Sequence, residues 1–411
     1  MNARIVRSLV FPIDSPPPKL SWLLREFRLL VNRSIRIALR EDIRSRYRLT
    51  NAAYGTLSAE HDVYKQYIPS AFEVAMAVLK NYRRRVRRGK RTNVPYLRRL
   101  LLKAENQSYR LDRVTGRLRI PIRGTEGVQL TLPLSTWHRS VLQDPSWGLG
   151  SLTVTPDRII VTVRRDAPEP YEPRTAIALD TNETSLDGVA VGHWEAALVT
   201  VPFPEVRVVQ ATHFRRRRHL AGKKSHDRRV MRRLLRREGR REHDRIHQRL
   251  HLVSKGLVAA AKERRAAIVL EDLKMPQGGG SGRRIRRRLS SWPQGELHRQ
   301  IAYKALAAGV PIVKVNPAWT SKTCPACGAR RRERVGEWFV CEMCDWEMDR
   351  QHNAGLNLLN TALASNEALA RAVRFRPGAL RRDVVIPLYD LPAREGAREE
   401  PSGVESLAVV T

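Results

Sequence analysis

The chain has 411 residues, enough for two or three domains with cores of their own, and its apolar content of 42% is that of an ordinary globular protein. Its charge is not ordinary: 76 Lys and Arg against 41 Asp and Glu leave +35, far beyond what solubility requires, so a polyanion is the expected partner. No run of eighteen apolar residues exists, which excludes a membrane-spanning helix, and the amino terminus lacks the long apolar region of a signal peptide; nucleic acid in a prokaryotic cytosol or nucleoid is expected, not a membrane.

Residues 1–14 read as an edge strand stopped by Pro16-Pro17-Pro18. Leu20, Leu23, Leu24, Phe27, Leu30, Val31, Ser34, Ile35 and Ala38 then recur at helical spacing. A second helix is expected over residues 70–88, with Phe72, Ala75, Met76, Leu79 and Tyr82 on its apolar face. It runs into a cationic stretch in which Tyr82, Arg84, Arg85, Arg87, Arg88, Lys90 and Arg91 are candidate nucleic-acid contacts, because cations interleaved with aromatics (Tyr82, then Tyr96) suit phosphate and base together.

From residue 107 to 165 the pattern alternates, as in short strands separated by Gly and Asp turns. With the first strand these are expected to close a small antiparallel β-barrel (residues 1–18 and 104–168), the helical unit of residues 19–103 being inserted between its strands. Trp137 and Trp147 are expected in its core. The proline-rich, acidic residues 166–173 mark a domain linker.

Thr175-Ala-Ile-Ala-Leu-Asp180 reads as a buried strand ending in an acid, and two further strands follow over residues 186–191 and 197–201. Residues 215–249 hold sixteen Lys or Arg against four acids, yet apolar spacing persists from Met231 to Leu257, so one long cationic helix is expected. Arg215, Arg216, Arg217, Lys223, Lys224, Arg228, Arg229 and Arg232 are its candidate nucleic-acid contacts. Residues 267–271 form another buried strand ending in acid, Glu271, and the Gly-rich loop of residues 278–282 leads to two more candidates, Arg283 and Arg284. A helix over residues 295–308 and a strand over 310–315 complete an α/β pattern.

Cys324-Pro-Ala-Cys327 and Cys341-Glu-Met-Cys344 are two Cys-x-x-Cys knuckles thirteen residues apart. They can wrap four thiolates around one zinc ion, a structural site with no open position. All four cysteines of the chain are consumed, which argues against disulfides. Asp349 follows at the start of a helix with apolar spacing at Leu356, Leu359 and Leu363, and residues 365–411 read as a poorly ordered tail.

Three acids stand out by context: Asp180 and Glu271 at strand ends, and Asp349 at a helix start. Carboxylates at the ends of strands in one sheet meet at one edge, and three of them make an oxygen-rich pocket suited to two Mg²⁺ or Mn²⁺ ions, the arrangement for in-line phosphodiester hydrolysis. Asp187 and Asp272 are nearby competitors, Asp272 being expected to face away because adjacent strand residues point oppositely.

This order of acids, together with Asn316-Pro-Ala-x-Thr320-Ser321-Lys-x-Cys324 before the ribbon and Asp349-Arg-x-x-Asn353-Ala-x-x-Asn357 after it, resembles the TnpB family of transposon-associated, RNA-guided DNA endonucleases, related to compact type V CRISPR effectors. The resemblance is close over residues 175–363 and one of layout before residue 172. It implies a multidomain α+β protein: a barrel with an inserted helical recognition unit, then an RNase H/RuvC-like α/β nuclease domain (169–319 and 347–364) with an inserted zinc ribbon (320–346). It also implies that Asp180, Glu271 and Asp349 bind the catalytic metal ions and that Cys324, Cys327, Cys341 and Cys344 bind structural zinc. The implied partners are a guide RNA and a double-stranded DNA target beside a short adjacent motif, engaged by a monomer. Two positions depart from the family pattern: the first acid is followed by Thr181-Asn182-Glu183 in place of a glycine-containing turn, and Glu337 stands where arginine is frequent, with Arg334 nearby.

Overall fold

The computed structural model describes residues 3–192, 196–222, 227–272, 292–330 and 336–373. Lys223, Lys224, Arg283, Arg284 and Arg334 lie outside them. The chain divides into two compact units, Met1–Asp166 and Ala167–Thr411.

In the first unit, β1 (Arg4–Pro12) leads into α1 (Pro18–Arg40), which buries the nine residues of the apolar stripe read from the sequence and carries a proline at its start, where no intrahelical N–H is lost. Then comes α2 (Arg46–Glu60), opened by the Ser45 side chain accepting from Arg48 N. Its sequence has almost no apolar periodicity and only Leu49, Ala53 and Leu57 are buried, so sequence patterning does not find it. The third helix, α3 (Tyr67–Arg87), follows.

The strands do not close into a barrel. Among the described residues, β1, β7 (Arg158–Asp166), β6 (Gly148–Val154) and β2 (Leu102–Ala104) form a four-stranded antiparallel sheet. A separate three-stranded sheet holds β3 (Arg110–Leu111), β4 (Arg117–Arg123) and β5 (Glu126–Thr131). Two features divert the chain from closure. The segment after β5 is a short helix, α4 (Thr136–Leu142), started by a Ser135 cap, and the second sheet is tied to the helices instead, with Tyr67 Oη donating to Pro121 O at 2.7 Å and Tyr64 N to Ile122 O at 2.6 Å. Trp147 is core, with the guanidinium groups of Arg7 and Arg165 at 5.0 and 4.7 Å from its ring centroid, but Trp137 sits on α4 half exposed, against expectation.

The second unit is a five-stranded mixed sheet in the order β10-β9-β8-β11-β12: β8 (Thr175–Thr181), β9 (Ser185–Val191), β10 (Ala196–Pro202), β11 (Ala266–Glu271) and β12 (Ile312–Val315). The first three strands form an antiparallel meander, and β11 joins β8 in parallel after a helical crossover. The long cationic helix expected over residues 215–249 is two helices, α5 (Glu205–Gly222) and α6 (Arg228–Glu263). Asp227 caps the second by accepting from Arg229 N and Val230 N, and that cap signal lay unread inside the charge run.

Strand alternation sorts the second unit into two cores. Ile177, Leu179, Ile268 and Leu270 face α6 and α7 (Gln294–Ala308), while Ala176, Ala178, Ala267 and Val269 face α8 (Arg350–Ser365). The expected tail does not begin at residue 365: α9 (Glu367–Val373) buries Leu369 and Val373 in the second core. The division between the units falls at Asp166 and Ala167, and in the second unit Tyr171 donates to Ala261 O and Ala266 O, both at 2.9 Å. No described helix is long and apolar enough to cross a membrane.

Candidate active site and zinc centre

Asp180 is one residue beyond Leu179, which pairs with Leu270, and Glu271 is one residue beyond Leu270. The register therefore sets the two acids side by side on neighbouring parallel strands. Alternation gives them the same face as Ala178 and Val269, the face that α8 covers. Both line a cavity of about 570 Å³ with Asn182, residues 316–322, Arg350 and Gln351. Glu271 is buried and accepts from Thr181 N at 3.1 Å. Burial first, and then the neighbouring Asp180 charge, push its carboxyl up to about 8.

Asp349 does not itself line this cavity; the next two residues do. It caps α8, with Oδ1 accepting from Gln351 N at 2.9 Å and His352 N at 3.2 Å and lying 3.1 Å from His352 Nδ1. Burial opposes its ionisation, but the His352 ring and those amides outweigh it and hold the carboxyl below its ordinary value. All three contacts fall on Oδ1, so Oδ2 has no hydrogen bond among the described residues.

The competitors are accounted for. Asp187 lies opposite Asp180 on β9, but it is buried and accepts from Asn182 Nδ2 and Ser185 Oγ, fastening the β8–β9 turn. Asp272 is exposed and does not line the cavity. Sequence reading passes over several residues here. Thr181 Oγ1 lies 2.8 Å from His298 Nε2 on α7, where burial drives the imidazole pKa down to about 4, so the ring is neutral and braces the strand behind Glu271. Trp319, Arg350 and Gln351 line the cavity, and the only signal for them is their position inside the two motifs flanking the ribbon.

The four cysteine Sγ atoms lie within 4.8 Å of one another, with Cys324–Cys344 at 3.6 Å and Cys327–Cys341 at 3.5 Å. A tetrahedral Zn–S₄ centre with 2.3 Å bonds has edges of roughly 3.8 Å, so the cluster fits zinc. Gly328 N donates to Cys324 O and Asp345 N to Cys341 O. These bonds close two equivalent knuckles, which need left-handed backbone at Gly328 (φ +77) and at Asp345 (φ +53). Phe339 and Trp346 pack against the buried pair Cys324 and Cys341.

The asparagines of the second motif fasten this ribbon to the helix. Asn357 Nδ2 donates to Thr320 O at 2.8 Å and Thr323 O at 2.7 Å, Asn353 Nδ2 to Thr323 O at 3.1 Å and Asn360 Nδ2 to Pro325 O at 3.2 Å. One helix face thus fixes the chain that runs from the cavity wall into the first knuckle.

The cationic candidates separate into groups. Arg87 lines a cavity of about 690 Å³ in the first unit with Arg44, Arg46, Lys80 and Arg83, four cations the sequence reading omits. Tyr82 is half-buried on α3; Arg84, Arg85, Arg88, Lys90 and Arg91 are exposed but do not line it. In the second unit Arg217 is ion-paired with Glu242, and Arg216 lies 3.6 Å from Glu238, which also meets the buried His213 at 2.8 Å. Arg215, Arg228, Arg229 and Arg232 are exposed.

The family model described as the Cas12f1-like TNB domain matches residues 295–358, and that of the uncharacterized protein MJ0013 family matches residues 23–121. Over 101 residues the chain is 35% identical to the CRISPR-associated endodeoxyribonuclease Cas12f1 of Sulfoacidibacillus thermotolerans, covering 24% of this chain and 23% of that protein. It is 33% identical over 108 residues to the TnpB-like protein MJ0751 of Methanocaldococcus jannaschii (26% and 39% covered) and 32% identical over 119 residues to the putative RNA-guided DNA endonuclease InsQ of Escherichia coli K12 (25% and 30% covered). The matched segments thus span less than half of each of these relatives. The fold is similar to that of Cas12f1 in its complex with single-guide RNA and target DNA, with a TM-score of 0.57 at 13% identity over 83% of this chain and 82% of the other. It is also similar to the mini-RNA-guided endonuclease CRISPR-Cas_phi3, with a TM-score of 0.54 at 11% identity over 88% and 92%.

Proposed function

Because this chain belongs to the family of TnpB-like proteins and compact type V effectors, we propose that it is an RNA-guided DNA endonuclease that cuts phosphodiester bonds at the cavity holding Asp180 and Glu271. The observation that carries this reading is the carboxylate pair. Two acids on adjacent parallel strands share a cavity wall, and one has its pKa raised to about 8 by burial and by the other's charge. A protein gains nothing in stability from such a pair; a divalent cation relieves it.

Asp180 and Glu271 would hold the ions, Mg²⁺ or Mn²⁺ being the choice for an all-oxygen donor set, with Asp349 Oδ2 as the third ligand. Bound there, the ions supply the Lewis acidity for in-line displacement at phosphorus. Thr181 N and the neutral His298 behind it hold Glu271 in place. The capping bonds on Oδ1 orient Asp349, and Arg350 on the cavity wall offers a cation to the phosphate being cut. Zinc in the ribbon is structural. The sheet order, with its meander and parallel addition, supports reading this unit as an RNase H/RuvC-like nuclease domain interrupted by that ribbon.

A guide RNA selects the target by base pairing, and exposed cations of both units hold the heteroduplex by its backbone. The first unit reads the short motif beside a double-stranded target. The protein works in a prokaryotic cytosol as a monomer on its RNA. The deciding experiment purifies the chain from cells carrying its own locus, sequences the RNA that accompanies it and offers DNA matched to that RNA. Cutting with Mg²⁺ or Mn²⁺, abolished by Asp180→Ala, is the expected result. Matched DNA bound but left whole under every divalent ion would make it a guided repressor, and cutting of branched DNA without RNA a structure-selective nuclease.

A further inference from the structure

The loop between β12 and the first zinc knuckle places a tryptophan where a nuclease of this kind meets its substrate. Trp319 lines the same cavity as Asp180 and Glu271, yet 53% of it remains exposed. Its backbone is in the left-handed region (φ +70), a conformation that bulky side chains avoid and that persists only where the surroundings over-determine it. They do so here. The Trp319 carbonyl accepts from Lys322 N at 2.9 Å, Thr323 N at 3.0 Å and Thr323 Oγ1 at 3.0 Å, and the neighbouring Thr320 and Thr323 carbonyls are gripped by Asn357. The backbone beneath this half-exposed indole is thus fixed, and the ring itself is not part of a core. The Lys322 ammonium lies 5.8 Å and the Arg330 guanidinium 5.5 Å from the ring centroid, at the loose end of cation–π contact. An aromatic face beside a carboxylate pocket, with two cations at its rim, matches a nucleotide: the base stacks, the cations turn to its phosphate, and the next phosphodiester reaches the acids.

We propose that Trp319 is the stacking platform for an unpaired nucleobase of the strand being cut, seated next to the scissile phosphate, with Lys322 and Arg330 on the flanking phosphate. The base must be unpaired, because a base within a duplex does not present its face to a side chain. Stacking selects for a base of any identity over none, so the contact positions the strand without reading sequence. This rests on the nuclease reading above and adds a substrate contact to it.

Two measurements on the full chain with its accompanying RNA test the proposal. A single-stranded oligonucleotide carrying 5-iododeoxyuridine is cross-linked by light, and the modified peptides are identified by mass spectrometry. A cross-link on Trp319 is expected, and its absence from the cross-linked peptides overturns the proposal whether or not the protein cuts DNA. In the second, cutting rates of wild type, Trp319→Ala and Trp319→Phe are compared on matched DNA with and without an abasic site next to the mapped cut. Loss of one stacked base is expected to slow Trp319→Ala by about five- to a hundredfold, with Trp319→Phe much closer to wild type. The abasic site is expected to slow wild type by a similar factor and Trp319→Ala no further. Rates within twofold for wild type and Trp319→Ala, or an abasic effect undiminished in Trp319→Ala, overturn it. Guide RNA retained by each variant shows that it has folded. If no divalent ion supports cutting by wild type, the nuclease reading falls while the cross-link still decides this one.

Discussion

Gly355 of α8 rests directly on Gly188 of β9: a Cβ atom on Gly355 would lie 2.4 Å from Gly188 Cα, and one on Gly188 only 1.9 Å from Ala178 O. With Ala176 and Ala178 on the same sheet face, these glycines let the helix approach the strands at backbone distance. The start of α8, with Asp349, Arg350 and Gln351, is thereby carried to the edge where β8 and β11 end in Asp180 and Glu271. Gly355→Ala is expected to push the helix away and destabilise the protein by about 1–3 kcal/mol, the usual cost of overpacking a tight core. Chemical denaturation reads the stability, and unchanged stability would mean that the helix does not sit this close.

The Glu271 carboxyl gives a pH dependence with a definite sign. It is raised from 4.5 to about 8, by burial first and then by Asp180. Between those values the folded protein keeps a proton that the unfolded chain has released, so stability falls as pH rises, and it is flat below and above the window. In chelator, denaturation midpoints taken from about pH 5 to about pH 8 should therefore decline for wild type and stay much flatter for Glu271→Gln. Equal slopes in the two proteins would show that Glu271 is not raised. Added Mg²⁺ or Mn²⁺ should recover stability in wild type most strongly near the upper end of the window.

Asn357 offers a separate test of how the ribbon is held. Its amide satisfies two backbone carbonyls, at 2.8 Å and 2.7 Å. Asn357→Ala takes the donor from the buried Thr320 carbonyl, while Thr323 O keeps Asn353 Nδ2; it should cost about 1–3 kcal/mol and release zinc to a colorimetric chelator roughly tenfold faster or more. Guide-RNA binding should change little. If RNA binding fails before zinc retention does, the ribbon belongs to RNA recognition.

At the second knuckle, Asp345 adopts the left-handed backbone that Gly328 adopts at the first. Asp345→Gly should relieve this and stabilise the metal-bound ribbon by up to about 1 kcal/mol, whereas Gly328→Ala should destabilise it by about 1–2 kcal/mol. Thermal melting of the zinc-loaded protein checks both signs.

In the first unit, Arg44, Arg46, Lys80, Arg83 and Arg87 converge on one cavity, and Asp42 is engaged by Arg44 at 2.8 Å. Lys80→Ala combined with Arg87→Ala should weaken RNA binding across all sequences and lower the slope of log affinity against log salt by about 0.7–0.9 for each lost phosphate contact. An unchanged slope would place the nucleic acid elsewhere.

The legible parts of this protein were those encoded over short stretches of chain. The spacing of the four cysteines states the zinc site, because two knuckles need only a few residues each. The nine-residue stripe of α1 and the strand-end acids Asp180 and Glu271 are equally local. Period-two alternation even allowed Asp272 to be set aside before any fold was known. Less local features misled. Regular alternation over residues 107–165 implied one closed barrel, although alternation states which residues face inward and not which strand pairs with which. The described strands fall into two sheets. The charge run of residues 215–249 concealed a helix boundary at Asp227 and the pairing of Arg217 with Glu242.

By itself the sequence determined the inventory: a basic chain, a Cys₄ knuckle pair, acids at strand ends, and two motifs flanking the ribbon. Only the tertiary structure decided what those motif residues do. The asparagines grip the backbone entering the ribbon, the glycine admits the helix to the sheet, and the tryptophan stands exposed at the cavity that Asp349 borders without lining. The reason is physical. Residue type and spacing fix which groups a stretch of chain presents, but a close approach, a shared cavity or a buried hydrogen bond is a property of two stretches together, and it exists only once packing has set the distance between them.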